Sequence, residues 1–177
     1  RNPLALGPEF GLVPSRLVLW VGSALNNGGE NIELIDATSA LVDAVRYDDD
    51  APWEMGADGG GGSLQRLCAL FESDNPSNWR GRADETPTPM AVNSTIQCPP
   101  PPRPSPAVAI NEIMYHTPDN DPEDLREYIE LTNTTGAPID LQGYCFTQGV
   151  DFCFEESTVL LPGGFLVVCR DEAAARA

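Results

Sequence analysis

The hydrophobic positions of this chain fall into short runs broken by Gly, Pro, Asn and Asp, the pattern of antiparallel strands and tight turns. Leu17 to Val21 reads as a first strand, Asn26-Asn27-Gly28-Gly29 as a turn, Asn31 to Ile35 as a second strand and Ala40 to Tyr47 as a third. Asn and Gly suit the turn because both tolerate positive φ. An acidic stretch with Trp53 follows, then a glycine-rich loop from Gly56 to Gly62 that reads as flexible, and Ser63 to Phe71, which reads as strand or irregular edge. Further strands are expected at Val108 to Tyr115, Glu127 to Asn133, Ile139 to Leu141, Tyr144 to Phe146, Phe152 to Phe154 and Phe165 to Cys169.

One strand carries a conflict. Strict alternation from Val108 puts Ile110, Glu112 and Met114 on one face and Asn111, Ile113 and Tyr115 on the other, so a polar group faces inward or both lie at an edge. A buried hydrogen-bonding role for Asn111 or Glu112 is expected over a catalytic one. Residues 1–15 show no period, and residues 82–107, with Pro99 to Pro102, read as a proline-rich linker that cannot donate to a ladder.

Composition narrows the function. Seventeen Pro and sixteen Gly in 177 residues fit a turn-rich β protein. The net charge of −17 disfavours nucleic acid and anionic lipid as partners. No apolar run approaches the ~20 residues of a spanning helix. All ten basic residues are Arg, so a P-loop lysine, a Schiff-base lysine and a Ser-Lys dyad are excluded. Neither a G-x-S-x-G elbow nor an H-E-x-x-H motif occurs.

Ile110-Asn111-Glu112-Ile113-Met114-Tyr115 with Pro118, the acidic loop leading to Glu130, then Ile139-Asp140-Leu141 and Gly143-Tyr144, resembles the opening half of a lamin-tail domain of the secreted microbial branch. Gly28 to Tyr47, the loop with Trp53, Ser63-Leu64 and the Asn75-Pro76-x-Asn78-Trp79 close resemble its second half. The resemblance implies an all-β fold, an immunoglobulin-like antiparallel β-sandwich. Its strand order would be circularly permuted: residues 1–81 the C-terminal half of one copy, 82–107 the linker, and 108–177 the N-terminal half of the next, the two packing together. It also implies a non-catalytic interaction or adhesion module of a large extracellular or cell-surface protein. The alternative is an accessory domain of an exported enzyme whose catalytic part lies elsewhere. Partners would be a protein or a surface glycan, including neighbouring copies of the same domain.

Two acidic loops are candidates for a cation. Asp48, Asp49 and Asp50, with Asp58, form one, and Asp119 and Asp121, with Glu123 and Asp124, the other. Calcium takes six to eight oxygens from flexible loops, so Ca2+ is the cofactor these residue types suit, although neither run matches an EF-hand. Solvated loop charge is the competing reading. Cys145 and Cys153 lie symmetrically about Gly149, so a hairpin turning there sets them opposite each other at a separation a disulfide accepts, about 5.5 Å between Cα atoms. Cys68, Cys98 and Cys169 stay unassigned. His116 is expected at the surface. Trp20, Trp53 and Trp79 are core anchors or, alternatively, a carbohydrate-stacking set. Asn93-Ser94-Thr95 and Asn133-Thr134-Thr135 are acceptable glycosylation sequons that weigh slightly toward export.

Overall fold

The computed structural model describes residues 14–93, 98, 106–116 and 127–170. Among them helix is limited to short 3-10 turns, and twelve strands form. These are β1 (Leu17–Trp20), β2 (Glu30–Ile35), β3 (Leu41–Tyr47), β4 (Leu64–Arg66), β5 (Trp79–Arg80), β6 (Val108–Met114), β7 (Tyr128–Asn133), β8 (Ile139–Asp140), β9 (Cys145–Gln148), β10 (Phe152–Cys153), β11 (Val159–Leu160) and β12 (Phe165–Arg170). A six-stranded sheet runs β1-β12-β7-β6-β4-β5 and a four-stranded sheet runs β10-β9-β2-β3, with β11 and β8 paired separately. The architecture is an immunoglobulin-like β-sandwich.

Strands from both ends of the chain mix in each sheet. β1 pairs in parallel with β12, β4 pairs antiparallel with β6, and β2 pairs antiparallel with β9. The core is likewise shared: Trp20, Ile32, Leu34, Val45 and Leu64 pack with Ile110, Ile113, Ile129, Leu131, Phe146 and Val168. Removing these side chains from water is the main stabilising term.

The conflict in the Val108 strand is resolved by a bulge. The register shifts between Ile110 and Glu112, where Ile110 faces Leu131 and Glu112 faces Glu130, leaving Asn111 as the extra residue. Val108, Ile110, Ile113 and Tyr115 then all reach the core between the sheets, while Met114 joins a smaller cluster with Tyr128, Val167 and Cys169. Asn111 and Glu112 both bond to the groups that cover that second face. A bulge restores the phase of a strand whose sequence breaks alternation.

Two sequence expectations need correction. Residues 82–93 belong to the fold instead of a linker. Thr86 O accepts from Gln65 Nε2 at 3.1 Å, Thr88 N donates to Glu112, Met90 N donates to Glu130, and Asn93 is buried. The proline content misleads because side-chain carboxylates and amides replace the ladder this segment lacks. The glycine-rich loop serves close backbone approach and not looseness. A Cβ on Gly56 would sit 2.4 Å from Ala83 N, and one on Gly62 would sit 2.3 Å from Arg82 O. These contacts seat the start of the 82–93 strap.

Candidate functional site

The most unusual chemistry lies beneath that strap. Glu112 on β6 and Glu130 on β7 are register partners, and neither has exposed surface. Ser63 Oγ and Tyr128 OH each donate to Glu112 Oε1 at 2.5 Å, Thr88 N donates to the same oxygen at 2.9 Å, and Thr88 Oγ1 donates to Oε2 at 3.1 Å. Glu130 accepts from Asn111 Nδ2 at 2.8 Å and from Met90 N. Burial, and then the neighbouring Glu112 charge, push Glu130 up to about 8. Burial also raises Glu112, opposed by its hydrogen bonds from Ser63, Tyr128 and Thr88. Every partner here is a framework residue or a strap amide or hydroxyl, so the pair works as a latch holding residues 86–93 to the outer face of β6 and β7. The sequence pointed to Glu112 and Asn111 through broken alternation. It gave no comparable signal for Glu130, which sits in a regular Glu-x-x-Glu strand.

A second buried polar centre ties the two sheets. Arg66 Nη1 lies 2.6 Å from Asp43 Oδ2, with side-chain exposures of 0% and 5%. Ile110 N donates to Asp43 Oδ2 at 2.9 Å and Ile110 O accepts from Arg66 Nη1 at 2.8 Å. The ion pair thus occupies both backbone groups of Ile110, next to the point where β4 stops pairing with β6. The Arg66 guanidinium also lies 5.8 Å from the centre of the Trp79 ring. Nothing in the sequence singled out Asp43 or Arg66, because each reads alone as an ordinary strand charge.

The acidic loops divide. Asp48, Asp49 and Asp50 converge, with one ligand oxygen from each lying within 4.8 Å of the others. Asp58 instead pairs with His116, whose Nδ1 is 2.6 Å from Asp58 Oδ1. His116 is therefore part-buried against a carboxylate, with a side-chain exposure of 15%, and not the surface histidine expected. Beside it the Tyr115 hydroxyl is buried and finds no hydrogen-bond partner among the described residues. The centre of the Tyr115 ring lies 4.6 Å from that of Tyr47, tilted by 37°, and Tyr47 leads into Asp48. Burial, and then the charges of Asp58, Asp49 and Asp48, raise the Tyr115 phenol above its ordinary range. Asp119 and Asp121, with Glu123 and Asp124, lie outside the described residues.

The structure joins Cys145 to Cys153 across β9 and β10 with Cα atoms 4.1 Å apart. That is closer than the expected 5.5 Å and suits a pair whose backbone groups point away from each other (about 4.5 Å). Gly149, at φ 82°, makes the turn between them. On the opposite face Phe146 and Phe154 enter the core. A second bridge joins Cys68 to Cys98, and Cys169 is buried on β12. Trp20, Trp53 and Trp79 are all buried, which removes them as a carbohydrate-stacking surface. Both sequon asparagines are buried as well. Asn93 Nδ2 donates to Arg66 O and Asn111 O, and Asn133 Nδ2 donates to Ala137 O and Leu160 O. A glycan would attach through that nitrogen, so neither sequon is available in the folded chain.

These features define a β-sandwich whose buried polar groups are spent on holding strands and a strap together. Residues 101–176 match the family model of the Lamin Tail Domain, a non-catalytic family with an immunoglobulin-like fold. No curated protein and no solved structure matches the chain. Among the described residues no helix is long and apolar enough to cross a membrane.

Proposed function

We propose that this chain is a non-catalytic interaction module of a large secreted or surface-exposed protein. The observation that carries the reading is the lamin-tail match over residues 101–176, set on a sandwich in which Glu112, Glu130, Asp43 and Arg66 are consumed by the framework. A reacting group has to be reachable by substrate, and these are sealed. Two intrachain bridges favour an oxidising compartment. In this reading residues 1–81 and 108–177 are the end of one lamin-tail domain and the start of the next. The Asp48–Asp50 loop is the place for a hard cation such as Ca2+, three carboxylates whose oxygens come within 4.8 Å of one another.

Two measurements on the purified chain test this. Generic ester, phosphoester, glycoside and peptide substrates are expected to turn over at buffer background, and millimolar calcium is expected to raise the melting temperature, since a ligand held only by the folded state stabilises it by mass action. Turnover that vanishes in Glu112→Gln overturns the non-catalytic reading. An unchanged melting temperature removes the cation alone.

A further inference from the structure

The strap is held unevenly along its length. Its start is seated against Gly56 and Gly62, and beyond its far end Cys98 is bridged to Cys68. Within those limits Thr86 O accepts from Gln65 Nε2, and Asn93 Nδ2 donates to Arg66 O at 3.2 Å and to Asn111 O at 2.7 Å. These partners are neutral, so their hold does not change with pH. Thr88 is fixed to Glu112 through its amide and its hydroxyl. From Pro89 to Val92, by contrast, the one described hydrogen bond to the sheet is Met90 N to Glu130.

That tip is a tight turn, closed by Ala91 N donating to Thr88 O at 2.9 Å. Its third position is Met90 at φ 63°, a left-handed conformation that favours glycine. Glycine there would remove the strain and leave an apolar patch uncovered, because the Met90 side chain packs on the cluster of Met114, Tyr128, Val167 and Cys169. Ala91 and Val92 beside it are exposed, Val92 at 71%. The tip thus stays down on the packing of Pro89 and Met90 and on one bond to a buried carboxyl, against backbone strain at its centre. A segment with so few attachments opens before the strands around it.

We propose that the tip from Pro89 to Val92 is a plug that lifts from the sheet when Glu130 loses its proton, uncovering the Met114, Tyr128, Val167 and Cys169 patch while the domain stays folded. The titratable groups that face Glu130 are Glu112 on β6 and Tyr128 on β7. β12 sets Val167 opposite it, and Arg170, at the end of that strand, lies 3.8 Å from Glu127. Residues 86–93 bring no charged side chain, so among the described residues no cation is paired with the Glu130 carboxyl. With the tip down, burial and then the Glu112 charge raise Glu130 from 4.5 to about 8, opposed in part by the bonds from Met90 N and Asn111. Lifting the tip admits water and returns the carboxyl toward its ordinary value. The advantage of the closed form is therefore complete at low pH and is lost as pH rises through about 8, whatever the module binds.

The test is amide hydrogen exchange on the full chain, with each rate corrected for the intrinsic pH dependence of exchange. Protection of the Met90 amide is expected to fall about tenfold for each unit from pH 6 to pH 8, the slope of one proton released on opening. Amides of the β7–β12 ladder should keep theirs. In Glu130→Gln, which is neutral throughout and nearly the same shape, Met90 protection is expected to be flat. Methyl spectra of the chain carrying 13C-labelled methionine then show whether the patch is uncovered, since the three methionines are Met55, Met90 and Met114. Between pH 6 and pH 9 the Met90 and Met114 signals are expected to shift together, and that of Met55, already 61% exposed, to stay in place. Protection at Met90 that ignores pH, or that falls with the same slope in Glu130→Gln, overturns the plug. Loss of protection throughout the ladder, or a Met114 signal that stays while that of Met90 moves, overturns it as well.

Discussion

Glu112 and Glu130 face each other across β6 and β7 with no exposed surface, two carboxyl groups on adjacent strands in a site that offers them amides and hydroxyls. Like charges placed so cannot both ionise cheaply in a poorly solvated site. Glu130 is pushed from 4.5 up to about 8 in the folded chain. A raised folded value means that the folded state holds the proton more tightly. The stabilisation from that proton is complete below about pH 4.5 and is lost as pH rises through about 8. The melting temperature is therefore expected to fall by roughly 5–10 °C between pH 6 and pH 9. In Glu130→Gln the profile over the same range should flatten. A wild-type profile as flat as that of the variant would show that the pair does not hold its proton.

The Asp43–Arg66 pair makes a different kind of prediction. Breaking a buried pair from one side costs about 3–5 kcal/mol, and removing both partners in favour of apolar groups often restores much of that. Here restoration should fail, because Ile110 N and Ile110 O depend on the two side chains and would be left buried without partners. Asp43→Leu, Arg66→Met and the double variant are all expected to be destabilised by about 3 kcal/mol or more in urea unfolding. A double variant close to wild type would mean that the Ile110 bonds contribute little.

The strands from Leu17 to Tyr47 and most of those from Val108 to Cys169 were legible because short apolar runs are bounded there by turn residues, even where the Val108 strand breaks alternation. β11 at Val159–Leu160 was not, since two residues carry no period. The resemblance located the fold class through the Ile110 to Tyr115 stretch. The latch was half legible: broken alternation marked Asn111 and Glu112, but Thr88 and Met90 belong to a segment whose prolines argue for an open linker. Its order comes from carboxylates 24 and 40 residues away, and no local pattern encodes such partners. The same holds for Asp43 and Arg66, which meet only because β3 and β4 come together over β6.

The glycine-rich loop separates close approach from looseness. If Gly56, Gly60 and Gly62 served only flexibility, alanine would be tolerated or mildly stabilising through the unfolded chain. A Cβ at Gly62 would instead fall 2.3 Å from Arg82 O, whereas one at Gly136 meets nothing within 4 Å. Gly62→Ala is expected to cost about 2 kcal/mol or more by displacing Arg82 and the strap behind it, and Gly136→Ala to stay within about 0.5 kcal/mol. Thermal melts of the two variants compare them directly. Similar melting temperatures would return the loop to the flexible reading.

The last expectation concerns how the two ends of the chain depend on each other. β1, β2 and β4 find their neighbours in β12, β9 and β6, so either end alone would expose half of one core and several unpaired edges. A cut between residues 100 and 101 leaves both disulfides within single pieces, Cys68–Cys98 in one and Cys145–Cys153 in the other. It also leaves the stretch that matches the lamin tail family nearly alone in the second piece. Each piece by itself is expected to lack a cooperative melt. Mixed at equal amounts the two should regain the β signal and a single transition, at a melting temperature that rises with concentration because association is no longer intramolecular. A cooperative melt of piece 101–177 alone, at the temperature of the intact chain, would mean that the matched segment needs nothing from β1, β2 and β4.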